Sequence, residues 1–197
     1  MSMPLDAETG LSDEALLVAL GRGDQAAART LTLRLAPRVM RYAAGMLSDP
    51  AEAEDVTQEA MMRLWRQAPD WRAGEAQVTT WLYRVVTNLC TDRLRQRARR
   101  RARPLEAIDE PPDDRPGVDA MMQDDARAQA LAEALALLPE RQRQAVILRH
   151  LEGLSNPEIA QVMDIGVAAV ESLTARGKRL LAARLLPKRD ELGYDHG

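Results

Sequence analysis

Residues 155–179 read SNPEIAQVMDIGVAAVESLTARGKR. Ser155 followed by Glu158 three positions on is a capping-box pattern, in which hydroxyl and carboxylate satisfy orphan backbone donors at a helix start. The short helix that follows carries Ile159, Ala160 and Val162 and runs through Met163. Asp164 to Gly166 make a tight turn, and Val167 opens a second helix that extends to about Leu186. Ile159, Ala160 and Val162 can meet Ile165, Val170 and Leu173 across the turn, with Ala160 small where the two helices cross. A short capped helix, a brief turn and a longer helix make a helix-turn-helix. In that geometry the early turns of the second helix enter the major groove and basic residues grip phosphates. The groove-facing candidates are Ala168, Ala169, Glu171, Ser172 and Ala175; the phosphate-gripping ones are Arg176, Lys178 and Arg179. A helical hairpin that packs on another protein shares this outline, and the capping box with its basic follow-on favours DNA.

Upstream, helical periodicity continues and no period-two strand pattern emerges, so the chain is expected to be all-α. Ser12 caps a short helix with Leu16, Leu17 and Leu20, stopped by Gly21 and Gly23. Asp24 opens a longer one through Leu31, Leu35, Val39 and Leu47, with Pro37 a possible kink or break. Asp49-Pro50 starts a third, with Ala53, Val56, Ala60 and Leu64 on its apolar side, ending near Ala68-Pro69. Thr79 or Thr80 opens a fourth, burying Leu82, Val85, Val86, Leu89 and Leu94. Residues 104–118 hold Pro104, Pro111, Pro112, Pro116 and Gly117 among Asp109, Glu110, Asp113 and Asp114. Such a stretch buries too little surface to offset its ordering entropy and reads as an extended acidic linker. Helices resume from Val118 to Leu138, and Pro139 opens another with Val146, Ile147 and Leu151, ended by Gly153 in a form suited to a left-handed cap. Two small helical domains, 1–103 and 119–197, are thus expected on either side of the linker.

The chain has 197 residues, 46% hydrophobic and 29% charged, with no phenylalanine. Leu, Val, Met and Ala must therefore fill its cores, and a β-sandwich is disfavoured. A single cysteine, Cys90, excludes an intrachain disulfide, and with two histidines it argues against zinc. Cys90 reads as a small buried apolar residue. No stretch is apolar enough to span a bilayer and no signal pattern opens the chain, so a cytoplasmic location without membrane insertion is expected. Charge is segregated: residues 1–60 hold five basic and ten acidic groups, 61–103 eleven and three, 104–138 two and nine, and 139–197 nine and eight. The basic block is all arginine, a residue suited to bidentate phosphate contacts.

Within that block Trp81, Arg84, Asn88, Thr91, Asp92 and Arg95 fall at helical spacing away from the apolar face. They lead into Arg93, Arg97, Arg99, Arg100, Arg101 and Arg103, which with an upstream aromatic suit phosphate tracking and base stacking. The preceding loop, with Trp71, Arg72, Gly74, Glu75 and Gln77, has the make-up of a pocket for an unstacked base. For Trp81 a place in the core is an equal reading. Asp55, Gln58, Glu59, Arg63 and Arg66 decorate the outer side of the third helix; with no histidine, metal cluster or glycine-rich phosphate loop nearby, partner binding or solvation fits them better than catalysis.

Three blocks resemble bacterial extracytoplasmic-function sigma factors of the sigma-70 family. DPAEAEDVTQEAMMRLW (49–65) resembles their polymerase-binding helix, TWLYRVVTNLCTDRLRQ (80–96) their −10-reading and melting segment, and LPERQRQAVILRHLEGLSNPEIAQVMDIGVAAVESLTARGKRLL (138–181) their −35-reading domain. The resemblance implies a transcription initiation factor without enzymatic activity or cofactor. It places Asp55, Gln58, Glu59 and Arg63 against core RNA polymerase. Arg72, Trp81, Arg84, Asn88 and Arg95 fall on the −10 element and its melted non-template strand, with residues 72–78 holding a flipped base. It places the second helix of the helix-turn-helix on duplex −35 DNA and threads the linker through the polymerase cleft. An anti-sigma factor is an implied partner, for which Met61, Met62, Trp65, Leu137 and Leu138 offer adaptable apolar surface or else fill their own cores. Under that regulation the free modules would make few mutual contacts. The chain departs from the family pattern at Met61, where Phe is usual, and at Asp164, where Gly is usual and Asp tolerates a left-handed conformation. It departs again at Ala169-Val170-Glu171-Ser172-Leu173, where Thr-Val-Lys-Ser-Arg is usual and Glu171 replaces a basic contact. The alternative is a stand-alone dimeric helix-turn-helix regulator, although no sustained heptad seam is present.

Overall fold

The computed structural model describes residues 10–74, 77–102 and 122–188, and those residues form helices and turns without a strand. The linker expected at 104–118, Glu75 and Arg103 lie outside the described residues. Helix α1 (Asp13–Gly21) starts at Ser12, whose hydroxyl accepts from the Ala15 N–H at 3.2 Å. Helix α2 (Gln25–Leu47) starts at Asp24, whose carboxylate accepts from the Ala26 and Ala27 N–H groups. Pro37 neither breaks nor ends α2. It sits on the exposed side of the helix, as does Leu33 one turn earlier, so water can take the carbonyl that the missing N–H leaves.

Helix α3 (Pro50–Gln67) is capped by Asp49 and followed by a 3₁₀ turn at Ala68–Asp70. Helix α4 (Val78–Arg101) begins before either threonine expected to open it, and Gln77 makes no side-chain cap; Thr80 is buried instead. Leu16, Leu17, Leu31, Leu35, Val56, Leu64, Leu82 and Val86 fill the N-terminal core. Without phenylalanine, its aromatic content comes from Tyr42 and Tyr83, packed edge to face at 5.6 Å. The Tyr42 hydroxyl lies 2.8 Å from Thr87 Oγ1, so burying it leaves no orphan. At Gly21 a Cβ would sit 2.4 Å from the Ala68 carbonyl oxygen, which is why α1 can reach the 3₁₀ turn.

In the C-terminal module α5 (Met122–Ala136) leads to α6 (Glu140–Val146), which widens into one π-helical turn, Ile147–Leu151. Gly153 follows at φ 75°. Helix α7 (Asn156–Met163) carries the complete capping box of Ser155 and Glu158. Asp164 ends it in the left-handed conformation (φ 52°), and α8 (Val167–Leu185) follows. A close helix crossing that the sequence did not single out lies at Gly177, where α8 meets α6: a Cβ there would lie 2.6 Å from Val146 Cγ2.

The expectation of two modules with few mutual contacts is not met. Helix α7 lies along α4, and α2 meets α5, α6 and the π turn, so one apolar core runs through both modules. Gly45 of α2 makes room for Ile147, whose Cδ1 would be 2.9 Å from a Cβ at that position.

Candidate nucleic-acid interface

The outer face of α3 carries Asp55 and Gln58 exposed, opposite the buried row Ala53, Val56, Ala60 and Leu64. Glu59 accepts from Arg63 Nε at 2.8 Å, one helical turn away, and this bond holds its carboxyl below the ordinary range. Asp55 lies 3.5 Å from Arg93 and remains two-thirds exposed. Met62 and Trp65 are half exposed on the same helix, whereas Met61 is buried. Leu137 and Leu138 divide the same way, the first exposed and the second in the core. Of the adaptable apolar surface expected from the sequence, Met61 and Leu138 therefore drop out.

On α4 the expected polar face divides too. Arg84, Asn88, Asp92 and Arg95 are exposed and line a cavity of about 730 Å³, closed on its far side by Arg141, Met163 and Asp164. Trp81 is half buried, its ring edge to face with Trp71 at 6.1 Å, so it is both core and rim. The Trp71 indole N–H is buried without a partner. Glu14 of α1 accepts from the Gly74 N–H at 2.7 Å and pins the loop that bears the exposed Arg72. Glu14 carries no signal in sequence that would single it out, because the loop it holds lies 60 positions away.

The arginine row is not all available to phosphate. Arg97 donates to Asp49 at 2.8 Å, to Glu52 at 3.1 Å and to the Leu47 carbonyl at 2.9 Å, tying α4 to the junction of α2 and α3. Arg93 turns to Asp55. Thr91, expected on the open face, donates instead to Glu140 of α6 at 2.9 Å. Cys90 is buried as expected, and burial pushes its thiol up to about 12.

On α8, Ala168, Ala169, Glu171, Ser172, Ala175, Arg176, Lys178 and Arg179 are all exposed while Val170 is fully buried. Arg176 donates to Ser172 Oγ at 2.7 Å, which fixes its direction along the helix. Burial and the nearby Lys178 and Arg149 charges keep the His150 imidazole below its ordinary value, hence neutral beside this face. The face is small-residued at its start and basic at its end, the shape a groove and its phosphates require.

Sequence reasoning missed the residues that join the modules. Glu152 follows the π turn with its side chain fully buried, and Arg41 meets it with Nε at 2.9 Å and Nη2 at 3.2 Å. The Tyr83 hydroxyl donates to the same carboxylate, and Arg38 Nη2 donates to the Glu152 carbonyl at 3.3 Å.

An all-helical chain with a capped helix-turn-helix and a second, partly engaged row of arginines has the outline of a two-part DNA-binding protein, and comparison with known proteins gives the family. The family model for Sigma-70 region 2 matches residues 31–100 and that for Sigma-70, region 4, matches residues 128–181. The RNA polymerase sigma-H factor of Pseudomonas aeruginosa is 31% identical over 190 residues, covering 89% of this chain and 94% of its own. The ECF RNA polymerase sigma factor SigE of Mycolicibacterium smegmatis is 35% identical over 163 residues, covering 81% of this chain, which spans 63% of that relative. Among solved structures, CnrH in complex with the cytosolic domain of CnrY superposes with TM-score 0.65 at 24% identity, over 89% of this chain and 97% of that one. RpoE of Bartonella quintana with the anti-sigma factor NepR gives 0.63 at 22% identity, over 80% and 96%; both likenesses concern the fold. The chain belongs to the sigma-70 family, in its extracytoplasmic-function branch.

Proposed function

We propose that this chain is a dissociable transcription initiation factor that binds core RNA polymerase and directs it to a limited set of promoters. The observation that carries the reading is the pair of unlike nucleic-acid faces. Helix α8 offers a groove-shaped surface for duplex −35 DNA. Helix α4 with its pinned loop offers arginines, an asparagine and a tryptophan pair to a melted −10 strand. In this reading Arg72, Trp81, Arg84, Asn88 and Arg95 engage −10 DNA; Ala168, Ala169, Glu171, Ser172, Ala175, Arg176, Lys178 and Arg179 engage −35 DNA. Asp55, Gln58, Glu59 and Arg63 on the exposed side of α3 engage the polymerase. The chain performs no catalysis of its own and needs no cofactor; bond formation belongs to the polymerase. It works in the cytoplasm, and no helix among the described residues is long and apolar enough to cross a membrane. An anti-sigma protein is a further partner in this reading, by analogy with RpoE in its complex with the anti-sigma factor NepR.

The test is run-off transcription with purified chain and core polymerase on a promoter that core alone ignores. Transcripts that require the chain support the reading; DNA binding by the chain alone, as a dimer, with no transcripts would favour the stand-alone regulator. Asp55→Arg sharpens it: Asp55 is exposed and weakly paired, so the helix should be unharmed while core affinity falls, by about 2–5 kcal/mol if docking buries the carboxylate in a charge pair.

A further inference from the structure

We infer that Glu152 is an intramolecular latch that holds the C-terminal module folded back over the −10-reading face, so that the free chain is self-inhibited without a partner. The functional meaning of the latch rests on the initiation-factor reading, and the latch itself on the structure.

The latch is built from four side chains in three regions. The Glu152 carboxylate comes from the C-terminal module; Arg38 and Arg41 of α2 and Tyr83 of α4 receive it in the N-terminal one. Arg41 takes it in a two-pronged pairing, Arg38 approaches to 3.6 Å and stacks 5.8 Å from the Tyr83 ring centre, and the carboxylate is wholly shielded from solvent. The π turn aims it: the extra residue lets the Glu152 N–H bond the Ile147 carbonyl five positions back and turns the chain into α2. A second set of bonds closes the other end. Arg143 donates to the Met46 carbonyl at 2.6 Å, at the negative end of α2, and Gln144 reaches Thr91 at 3.2 Å.

Closure is incompatible with reading a promoter. In this arrangement α7 lies against α4, and α8 packs on α7. The two reading helices are therefore at most two interhelix spacings apart, roughly 20 Å between axes where they meet α7. By their numbering the −10 and −35 elements lie roughly 85 Å apart along B-form DNA at 3.4 Å per step. Arg84, Asn88 and Arg95 keep solvent contact, but the cavity they line has Arg141, Met163 and Asp164 of the C-terminal module as its other wall, which narrows the room for a strand beside α4.

The latch is also suited to release. A buried ion pair recovers in Coulombic and hydrogen-bond energy little more than its groups lose in hydration. Opening rehydrates Glu152, Arg38 and Arg41 together, so the ionic part of the closure adds little to the cost of opening, and polymerase binding has mainly the apolar contacts around Gly45 and Ile147 to displace.

The experiment places spin labels at Leu33→Cys and Ala183→Cys, both exposed, in the full chain; native Cys90 is buried and stays unlabelled. Distance distributions are recorded alongside core-dependent transcription at limiting chain. Glu152→Gln removes the charge, and Gly45→Leu drives an uncharged side chain against Ile147, leaving nothing to pair with Arg41 one turn earlier. The parent chain should give one short, narrow distance. Each variant should add a long, broad population, with the open-to-closed ratio rising at least about tenfold, and transcription should rise in the same order. Unchanged helical content at the measuring temperature keeps misfolding apart from opening. A long, broad distance in the parent chain, variants that stay short, or variants that open without gaining transcription over an active parent would each overturn the latch. Absence of core-dependent transcripts in every form, with distances as expected, would overturn the initiation-factor reading and leave the latch standing.

Discussion

Helices α4 and α8 both carry rows of basic residues, yet they use them differently. The α8 row, Arg176, Lys178 and Arg179, is exposed, and the bonds Arg176 makes, to the Ser172 hydroxyl and carbonyl, stay within the same helix. The α4 row is divided: Arg97 and Arg93 turn back to acids of the same module, while Arg84 and Arg95 face the inter-module cavity. Two stretches of similar charge therefore have different electrostatic footprints. A run of arginine in sequence counts the available charge, and only packing says how much of it reaches a ligand.

The largest effect that separates the two rows is on folding. Arg97→Ala removes bonds to Asp49, Glu52 and the Leu47 carbonyl and leaves two carboxylates facing each other at the start of α3. With Arg97 about a quarter exposed, the loss should be about 2 kcal/mol in urea unfolding. Arg179→Ala should leave the unfolding midpoint in place, since its side chain is exposed on α8. Equal midpoints for both variants would break the comparison.

That contrast also marks where the sequence was legible. Caps and turns are written in neighbouring residues, so Ser12, Asp24, Asp49, the Ser155–Glu158 box and the left-handed Asp164 are all found where local chemistry puts them. The α8 face is legible for the same reason, since burial of Val170 and exposure of its neighbours follow from helical period alone. Arg97 was read as part of a nucleic-acid surface because its partners lie 45 to 50 positions away. Glu152 was invisible for a stronger reason: a π turn shifts the helical register by one residue, and no period-3.6 reading predicts where the carboxylate then points. Docking of the modules depends on the fit of Gly45 to Ile147, a steric match between distant residues that no local pattern encodes.

A middle-sized effect lies at the start of α7. Ser155→Ala removes the hydroxyl half of the capping box and should cost about 1 kcal/mol of stability. If the modules unfold as the one core described here, a single cooperative transition should shift; two separate transitions with only one moving would contradict the shared core. Smaller still, Arg176→Ala and Lys178→Ala should each lower the salt slope of promoter binding by roughly one unit without altering the unfolding midpoint.

The smallest expected signal comes from the inner side of α4. A free Cys90 thiol ionises near 9.0 and the folded one near about 12. Below the lower value both states are protonated and burial of the thiol contributes fully; as pH rises from there towards the upper value the unfolded thiolate gains and that contribution is lost. At pH 8 the native chain should therefore resist a thiol reagent that labels it promptly in urea. Rapid native labelling would place Cys90 on the surface and reverse the orientation of α4.

The central claim is that the two basic helices act at different steps of one process, α8 in finding the promoter and α4 in opening it. Permanganate footprinting of unpaired thymines, on complexes of core polymerase, chain and promoter, tests this most directly. At DNA concentrations that restore occupancy, Arg176→Ala and Lys178→Ala should regain full thymine reactivity, while Arg84→Ala and Asn88→Ala should remain bound yet weakly reactive. Equal reactivity for the two pairs once occupancy is matched would mean that α4 and α8 act at the same step, and the division of labour between them would be wrong.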